Sequence, residues 1–281
     1  MDEDQFRTAM LACANAILPM HIGQVMINKV FGRAMQSHAA GLVVIMHCEA
    51  ELNLGPAATL AALKSEFEQS RTLSAFIGLL KCTGFIRNGE HPNDQRVRTL
   101  VPSAMLIGGL KSWLMQHVKC GAMAGIEFPV PDLAGRLDAD PYFATHYIAA
   151  TRNVLYRTRA SLEQRHAWAM FDRFDCGDRV CLMLLKAHYE CEQTGNAEPW
   201  FPLEVSRIAS QIGISQSHVR NIVNAAETAG YLKLNKRSGE ICLTPHLLEE
   251  VREWHLMFWS WLKDAADIAV ERSSVTSSLS A

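Results

Sequence analysis

The most informative stretch of the chain is 205-VSRIASQIGISQSHVRNIVNAAETAGYLKLNKRSGEICLT-244. Its first apolar residues recur every three or four positions, which predicts a short helix that ends at Gly213, where glycine tolerates a positive φ. Ser215 is a natural N-cap for a second helix, which the same periodicity extends to Gly230. Two apolar runs then flank a basic turn, which predicts a two-stranded hairpin. The predicted buried positions are Val205, Ile208, Ala209 and Ile212 in the first helix and Val219, Ile222, Val223, Ala226 and Ala229 in the second.

The spacing of three residues in this stretch is typical of a helix-turn-helix. Ala209 is a small residue where the helices cross, Gly213 lies in the turn, and Val219 is a β-branched anchor under the second helix. A hairpin directly after the second helix adds a wing. The sequence therefore predicts a winged helix-turn-helix.

Residues 177–265 resemble a winged helix-turn-helix of the bacterial multiple-antibiotic-resistance regulator (MarR) type, most specifically in the segment 214-ISQSHVRNIVNAAETAGYL-232. The resemblance implies that the second helix enters the DNA major groove and that the wing contacts the backbone or the minor groove. The alternative is a winged helix that serves only as a protein–protein module. The residues that we expect to bind DNA are Ser215, Gln216, Ser217, His218, Arg220, Asn221, Lys236 and Arg237.

The segment after Pro56 repeats this pattern. An offset of 146 residues that aligns Gly84 with Gly230 also pairs Leu73 with Val219. Phe76 then falls opposite Ile222, and with one residue inserted in the turn the earlier apolar positions align as well. The sequence therefore predicts two winged helices in tandem. The earlier pairs are Leu60 with Val205, Leu63 with Ile208 and Phe67 with Ile212.

The first copy departs from the second in its turn, where Glu68 or Gln69 stands in place of Gly213. Its second helix, 70–83, is otherwise apolar, which predicts a weaker reader of bases. Its wing is longer, and the portion 93-NDQRVRTLVP-102 resembles the Asp-Arg-rich wing of the MarR family, with Asp94 among its charged positions. The expected DNA-binding residues of this copy are Arg71, Thr72, Ser74, Arg96 and Arg98.

The periodicity predicts a mainly α protein with small β-wings, in which long helices join two tandem winged helix-turn-helix domains. Asp140-Pro141 is a strong helix start for one long helix to about residue 172, and Thr244-Pro245 starts another. Breaks in the N-terminal helices are expected at Pro19 and near Gly32 or Gly41. The predicted boundaries are an N-terminal domain at 1–125, a linker at 126–140, a C-terminal domain at 141–272 and a disordered tail at 273–281.

MarR-like proteins resemble one another in having a ligand pocket between the long helices and a winged helix. Aromatic faces at such a place suit a small aromatic effector. The alternative is that these side chains fill the core and an interface. The candidate lining residues are Phe143, Tyr147, Trp168, Trp254 and Phe258.

Composition limits the other functions that the 281 residues can have. A net charge of −2 does not favour nucleic-acid binding by the chain as a whole, so a DNA-binding surface must be a local basic patch.

Eight scattered cysteines without a CxxC pair indicate reduced thiols in a cytoplasm. Cys181, His188 and Cys191 share a helix side, but small core residues explain them better than a metal. The sequence contains no apolar run of about 18 residues, so it predicts no membrane-spanning helix.

No metal, cofactor or catalytic residue is expected, because the HExxH, GxSxG and GxGxxG motifs do not occur. The sequence predicts a sequence-specific, double-stranded-DNA-binding transcriptional regulator of MarR-like type that responds to an effector. Two copies in one chain form a pseudo-dimer within a monomer, or the chain forms a homodimer. Two alternatives stay open: a plasmid-type replication initiator with tandem winged helices, and a chromosome-associated adaptor that uses them to hold protein partners.

Overall fold

A computed structural model of the chain describes residues 2–67, 70–90, 96–162, 166–192 and 199–279. The chain is mostly helical with two small antiparallel sheets, which confirms the coarse fold class. The helices are α1 Glu3–Ile17, α2 Val25–Val30, α3 Ala34–Glu51, α4 Leu60–Glu66, α5 Ser70–Cys82, α6 Ala104–Met123, α7 Leu133–Ala139, α8 Pro141–Ala150, α9 Arg152–Leu162, α10 Ala167–Asp172, α11 Gly177–Glu192, α12 Val205–Ile212, α13 Gln216–Thr228 and α14 Pro245–Leu279, with a 3-10 helix at Leu18–Met20. The strands are β1 Ile86–Glu90, β2 Arg98–Pro102, β3 Phe201–Pro202, β4 Leu232–Asn235 and β5 Glu240–Leu243.

The chain divides into two compact units, each assembled from three stretches. The sequence predicts consecutive domains instead, and their boundaries as independent folding units stay a prediction. Unit 1 comprises Met1–Ala34, Cys120–Ile126 and Arg159–Trp259. Unit 2 comprises Met35–Lys119, Glu127–Thr158 and Ser260–Ala281.

In unit 1 the stretch 205–244 folds as its local pattern predicts. The helix α12 ends at Gly213, whose φ of +72° is the left-handed conformation that favours glycine. The side chain of Ser215 accepts the amide of His218 and caps α13. After Gly230 the strands β4 and β5 pair antiparallel, with Leu232 opposite Leu243. The predicted helices, stop, cap and hairpin are confirmed.

Two of the predicted buried positions in this stretch are less buried than expected. Val205 is half-buried because it is the first residue of α12, and Ala229 is exposed because it follows the last turn of α13. Apolar periodicity identifies a helix face, but at the ends of the helix that face is no longer covered by its neighbours.

Unit 1 adds two features that periodicity did not reveal. The short strand β3 pairs with β5, with Phe201 opposite Ile241, so the sheet has the order β3-β5-β4. The N-terminal segment also supports the turn after α12, because the buried Asn28 donates from Nδ2 to the main-chain oxygen of Ile212 at 3.0 Å. The turn between α12 and α13 is therefore held by a residue 184 positions earlier in the chain.

Unit 2 repeats the same order of elements in α4, α5, β1 and β2. The amides of Phe85 and Tyr231, 146 residues apart, each donate at 2.9 Å to the carbonyl five residues earlier. Leu73 and Val219, paired by the repeat, are both fully buried. In unit 2 an isolated antiparallel β-bridge joins Thr59, just before α4, to Thr99 in β2. In unit 1 the strand β3, before α12, pairs with β5 in a similar way. The two segments thus share the order helix, helix, strand, strand, and the turn residues Glu68 and Gln69 lie outside the described residues.

Three expectations about the connecting segments differ from the structure, whereas the expected N-terminal break near Gly32 is confirmed. The N-terminal break falls at Gly32, where a Cβ would lie 2.5 Å from the oxygen of Asn28, whereas Gly41 continues α3. The expected helix from 141 to 172 is broken after Ala150, where Thr151 leaves helical geometry. The expected linker contains α7, capped by Asp132. The expected disordered tail is helical as far as Leu279. No helix in the described part of the chain combines the length and apolarity that a membrane span needs.

Candidate nucleic-acid interface

The helix α13 has one apolar face and one polar face. Its inward positions are buried at Val219, Ile222, Val223 and Ala226. The positions on the opposite side are exposed and carry side chains that donate or accept hydrogen bonds. Amides and arginine are the side chains that read base edges in the major groove. The exposed polar residues are Gln216, Ser217, Arg220, Asn221, Asn224 and Thr228.

Two of the predicted DNA-binding residues organise the start of α13. The hydroxyl of Ser215 serves as the cap at 3.1 Å from the amide of His218. The side-chain amide of Gln216 donates to the hydroxyl of Ser206 at 3.4 Å, and its oxygen accepts from Arg220 at 3.3 Å. Gln216 therefore links α12 to Arg220 and holds the guanidinium along the helix.

The side chain of His218 turns away from the exposed face. Its Nε2–H donates to the main-chain oxygen of Asp175 at 3.0 Å. The ring also meets the ring of Phe174 edge-on, with the centroids 6.2 Å apart. Because the imidazole is half-buried and hydrogen-bonded in this way, it fixes the first turn of α13 to residues 174 and 175.

Asn224 is an outward residue that the sequence reasoning missed. It lies four positions after Arg220 and three after Asn221, so helical spacing puts it on the same face. Asparagine donates and accepts in one side chain, which suits the edge of adenine. The signal is present in the sequence, but the prediction covers only the first two turns of the helix.

The hairpin of unit 1 ends in a four-residue basic turn. The side-chain oxygen of Asn235 accepts the amides of Arg237 at 3.1 Å and Ser238 at 3.4 Å, and Gly239 has φ +72°. Lys236 and Arg237 are exposed at this tip. The fold thus places both predicted cations where a partner can reach them.

The equivalent helix of unit 2 presents a different surface. Arg71 and Thr72 are exposed at its start and Ser74 is half-buried. Further along, Ala75 is exposed and Leu79 is 40% exposed. By the offset of the repeat, Ala75 occupies the position of Asn221 and Gly78 that of Asn224. The outer face of α5 therefore has few groups that form hydrogen bonds with base edges.

The hairpin of unit 2 carries Arg96 and Arg98 in exposed positions. Arg98 lies 4.0 Å from the carboxylate of Glu90 across the paired strands, which is a weak exposed ion pair. Asp94, which the resemblance also singles out, lies outside the described residues. The two arginines add positive charge near the end of the hairpin.

The five predicted effector-binding residues fall into two groups. Phe143 and Tyr147 are fully buried in unit 2, where the Tyr147 hydroxyl donates to the main-chain oxygen of Leu262 at 3.3 Å, and burial raises the pKa of that hydroxyl. Trp168, Trp254 and Phe258 form a stack in unit 1, with centroid separations of 4.7 and 5.1 Å.

A cavity of about 230 Å³ in unit 2 is lined by none of these five residues. Its lining includes the ion pair of Arg157 and Asp264, 2.6 Å apart, together with Trp261.

The aromatic stack in unit 1 combines partial exposure with a buried polar group. Trp168, at one end of the stack, is half-buried, and the indole N–H of Trp254 is buried with no hydrogen-bond acceptor in the described part of the chain.

The cysteine and histidine positions considered for a metal are packed into unit 1. Cys181 and His188 are buried, and burial raises the pKa of the Cys181 thiol, which disfavours the thiolate that binds metals. The Cys191 sulfur contacts the main-chain oxygen of Trp200. Within residues that the structure describes, no group of three metal-binding side chains is found.

The chain matches no family model, no curated protein and no solved structure.

Proposed function

We propose that the protein is a sequence-specific transcriptional regulator of MarR-like type that binds double-stranded DNA through a winged helix-turn-helix in unit 1. One observation carries the proposal. The capped helix α13 turns a continuous polar face outward, and a hairpin with a basic tip follows it directly. These are the two parts that a winged helix uses on DNA, a helix for the major groove and a wing for the backbone or minor groove.

The side chains on these two parts suit different tasks. Arg220 can donate hydrogen bonds to base edges, and Asn221 and Asn224 can both donate and accept them, which is what distinguishing base pairs requires. Lys236 and Arg237 carry positive charge at the exposed tip of the hairpin, which suits phosphates. Because the net charge of the chain is −2, affinity must come from such local cations.

Unit 2 has a secondary role on DNA in this proposal. Arg71, Arg96 and Arg98 provide cations for the phosphate backbone, while the face of α5 offers little for base readout. Two copies with different reading helices favour an asymmetric DNA site, as expected for an intrachain pseudo-dimer.

Response to a small aromatic effector is the second part of the proposal. The stack of Trp168, Trp254 and Phe258 is the candidate site, because Trp168 is only half-buried. The buried indole N–H of Trp254 is a donor that a ligand carboxylate or carbonyl can use. In this arrangement the ligand is planar and carries one acceptor group.

A protein-partner role has one observation in its favour, the apolar outer face of α5 around Leu79. Binding to random-sequence duplexes across a salt series separates the two roles. A DNA binder loses affinity steeply as salt rises, because binding releases condensed counterions, whereas an adaptor has no such affinity. Absence of salt-dependent binding to any duplex would rule out the proposed function.

A further inference from the structure

The turn between α10 and α11, residues 173–176, supports one flank of α13. Its Asp175 accepts the hydrogen bond of His218, and its Phe174 contacts the ring of the same histidine. On the helix, His218 projects beside the outward face that contains Ser217 and Asn224. Residues of the turn therefore lie along the edge of the proposed reading face.

The carboxylate of Asp175 also holds an arginine from the N-terminal segment. Arg33 Nε lies 2.6 Å from Oδ1 of Asp175, and its Nη2 lies 3.4 Å from Oδ2. The amide of Cys176 donates to the oxygen of Gly32 at 2.7 Å, so the backbone beside Arg33 is fixed to the same turn. Asp175 thus connects Arg33 to the flank of α13 through one residue.

Both members of this pair remain open to the solvent. The side chain of Arg33 is 61% exposed and that of Asp175 is 48% exposed. An exposed ion pair contributes little to folding stability. Its location is more informative than its strength, because a helix in the major groove, about 12 Å wide, has a sugar–phosphate backbone along each flank.

A guanidinium binds phosphate with the same two-point geometry that it uses for a carboxylate. Asp175 holds the guanidinium of Arg33 by two nitrogens in the unbound protein. A carboxylate at this place also repels an approaching phosphate. The pair therefore has opposite electrostatic effects on DNA, attraction from Arg33 and repulsion from Asp175.

We propose that Arg33 contacts a DNA phosphate on the flank of α13 and that Asp175 competes with that phosphate for the guanidinium. This inference rests on the proposed function and extends the DNA surface to the N-terminal segment, outside the helix-turn-helix and the hairpin. Asp175 sets the affinity by holding Arg33 in the absence of DNA. The contact is with the backbone, so it has no base preference.

The test measures the affinity of the full chain for a random-sequence duplex across a salt series. Arg33→Gln should weaken binding about 3- to 10-fold and lower the salt slope by about one unit, because one phosphate contact is lost. Arg33→Lys keeps the charge and should stay within about 3-fold of the parent protein. Asp175→Asn should strengthen binding about 3-fold, since it removes the competitor.

The matched control is Arg157→Gln in unit 2, which removes an exposed ion pair of the same length, 2.6 Å, to Asp264. Its affinity should equal that of the parent protein. An Arg33→Gln variant that folds and binds like the parent protein overturns the inference, as does an Asp175→Asn variant that binds equally or more weakly. If the parent protein shows no salt-dependent affinity, the proposed function itself fails, which is a distinct result.

Discussion

Gly84 and Gly230 end their helices in the same left-handed conformation, with φ of +75° and +79°. The two residues stand at equivalent places in the internal repeat, and a Cβ at either would meet no atom within 4 Å. If alanine replaces either glycine, any loss of stability therefore comes from the left-handed backbone conformation and not from a steric clash. We expect Gly84→Ala and Gly230→Ala each to lower the free energy of unfolding by about 1–2 kcal/mol. Urea denaturation measures this value.

Gly78→Ala is the control for that prediction. Gly78 lies inside α5 without positive φ, and its Cβ would also occupy open space. Alanine there should raise the free energy of unfolding by about 0.5–1 kcal/mol, because glycine is a poor helix former. Equal effects from all three substitutions would contradict the conformational explanation.

Direct readout by Arg220 is the second prediction. Arg220→Ala should cost about 1–3 kcal/mol on a selected duplex and relax base preference at one position. Arg220→Lys keeps the charge but loses the two-point geometry, so it should lose preference while retaining most of the affinity for random duplexes. Binding-site selection with each variant measures both effects. An alanine variant that folds correctly and keeps the parental preference would remove Arg220 from the proposed reading face.

The third prediction compares the two hairpins. Replacement of Lys236 and Arg237 together by glutamine should weaken binding to all duplexes and lower the salt slope by about one to two units. The same change at Arg96 and Arg98 should act similarly if unit 2 contacts the backbone. Titrations at several salt concentrations give the slopes. If only the pair in unit 1 matters, unit 2 has a task other than binding DNA.

The fourth prediction concerns pH and Asp172. Burial, and next the charge of Asp178, raise the pKa of the Asp172 carboxyl to about 7. The native state thus keeps a proton that the unfolded chain releases near pH 4. This stabilisation is complete below about pH 4 and is lost as pH rises through about 7. The loss is on the order of 3 kcal/mol between pH 4 and pH 8.

Asp172→Asn should remove this part of the pH dependence, as measured by the free energy of unfolding at each pH. Burial lowers the pKa of His255 to about 4, and its effect has the opposite sign, because stability is lost as pH falls below about 6.5. The two effects oppose one another at mildly acidic pH. The difference between the parent protein and the Asp172→Asn variant, rather than either profile alone, therefore isolates the carboxyl.

Asp138→Asn, at an exposed carboxylate paired with Lys111, is the control for the pH prediction. The loss of stability toward neutral pH should persist in this variant, because Asp172 is intact. A parental profile in the Asp172→Asn variant would contradict the assignment of the raised pKa to this carboxyl.

The fifth prediction concerns the aromatic stack. Binding of a planar aromatic acid beside Trp168 should quench tryptophan fluorescence and raise the Tm, because a ligand that binds only the native state stabilises it. Trp168→Phe should reduce the quenching. Trp113→Phe in unit 2 is the control and should leave the fluorescence quenching on ligand binding unchanged. Absence of both quenching and a Tm shift across a panel of aromatic acids would argue against an effector at this stack.

The local elements of the stretch 205–244 were predictable because their causes lie within a few residues. Periodic apolar positions, a serine cap and a glycine stop specify α12 and α13 through bonds between neighbours in sequence. The order of helices and strands in residues 60–102 was predictable from the apolar spacing and Gly84, although the turn of that segment lacks the glycine found at Gly213. The outward position of Asn224 follows from the same spacing, although the prediction stops short of it.

Contacts between remote segments have no such signal. The strand β3 forms because β5 offers an edge, and two residues carry too little periodicity to predict it. The break at Thr151 and the burial of Phe143 and Tyr147 in the core of unit 2 depend on how helices pack. Packing also assembles each unit from three stretches of chain.

Residue order alone is enough to specify a capped polar helix followed by a basic hairpin between residues 205 and 244. What lies beside these two elements depends on tertiary packing. Packing turned His218 toward Asp175 and brought Arg33 to the same residue across 142 positions of the chain. Hydrogen bonds within a helix join residues at a fixed spacing in sequence, whereas partners across a fold are selected by the way whole elements pack.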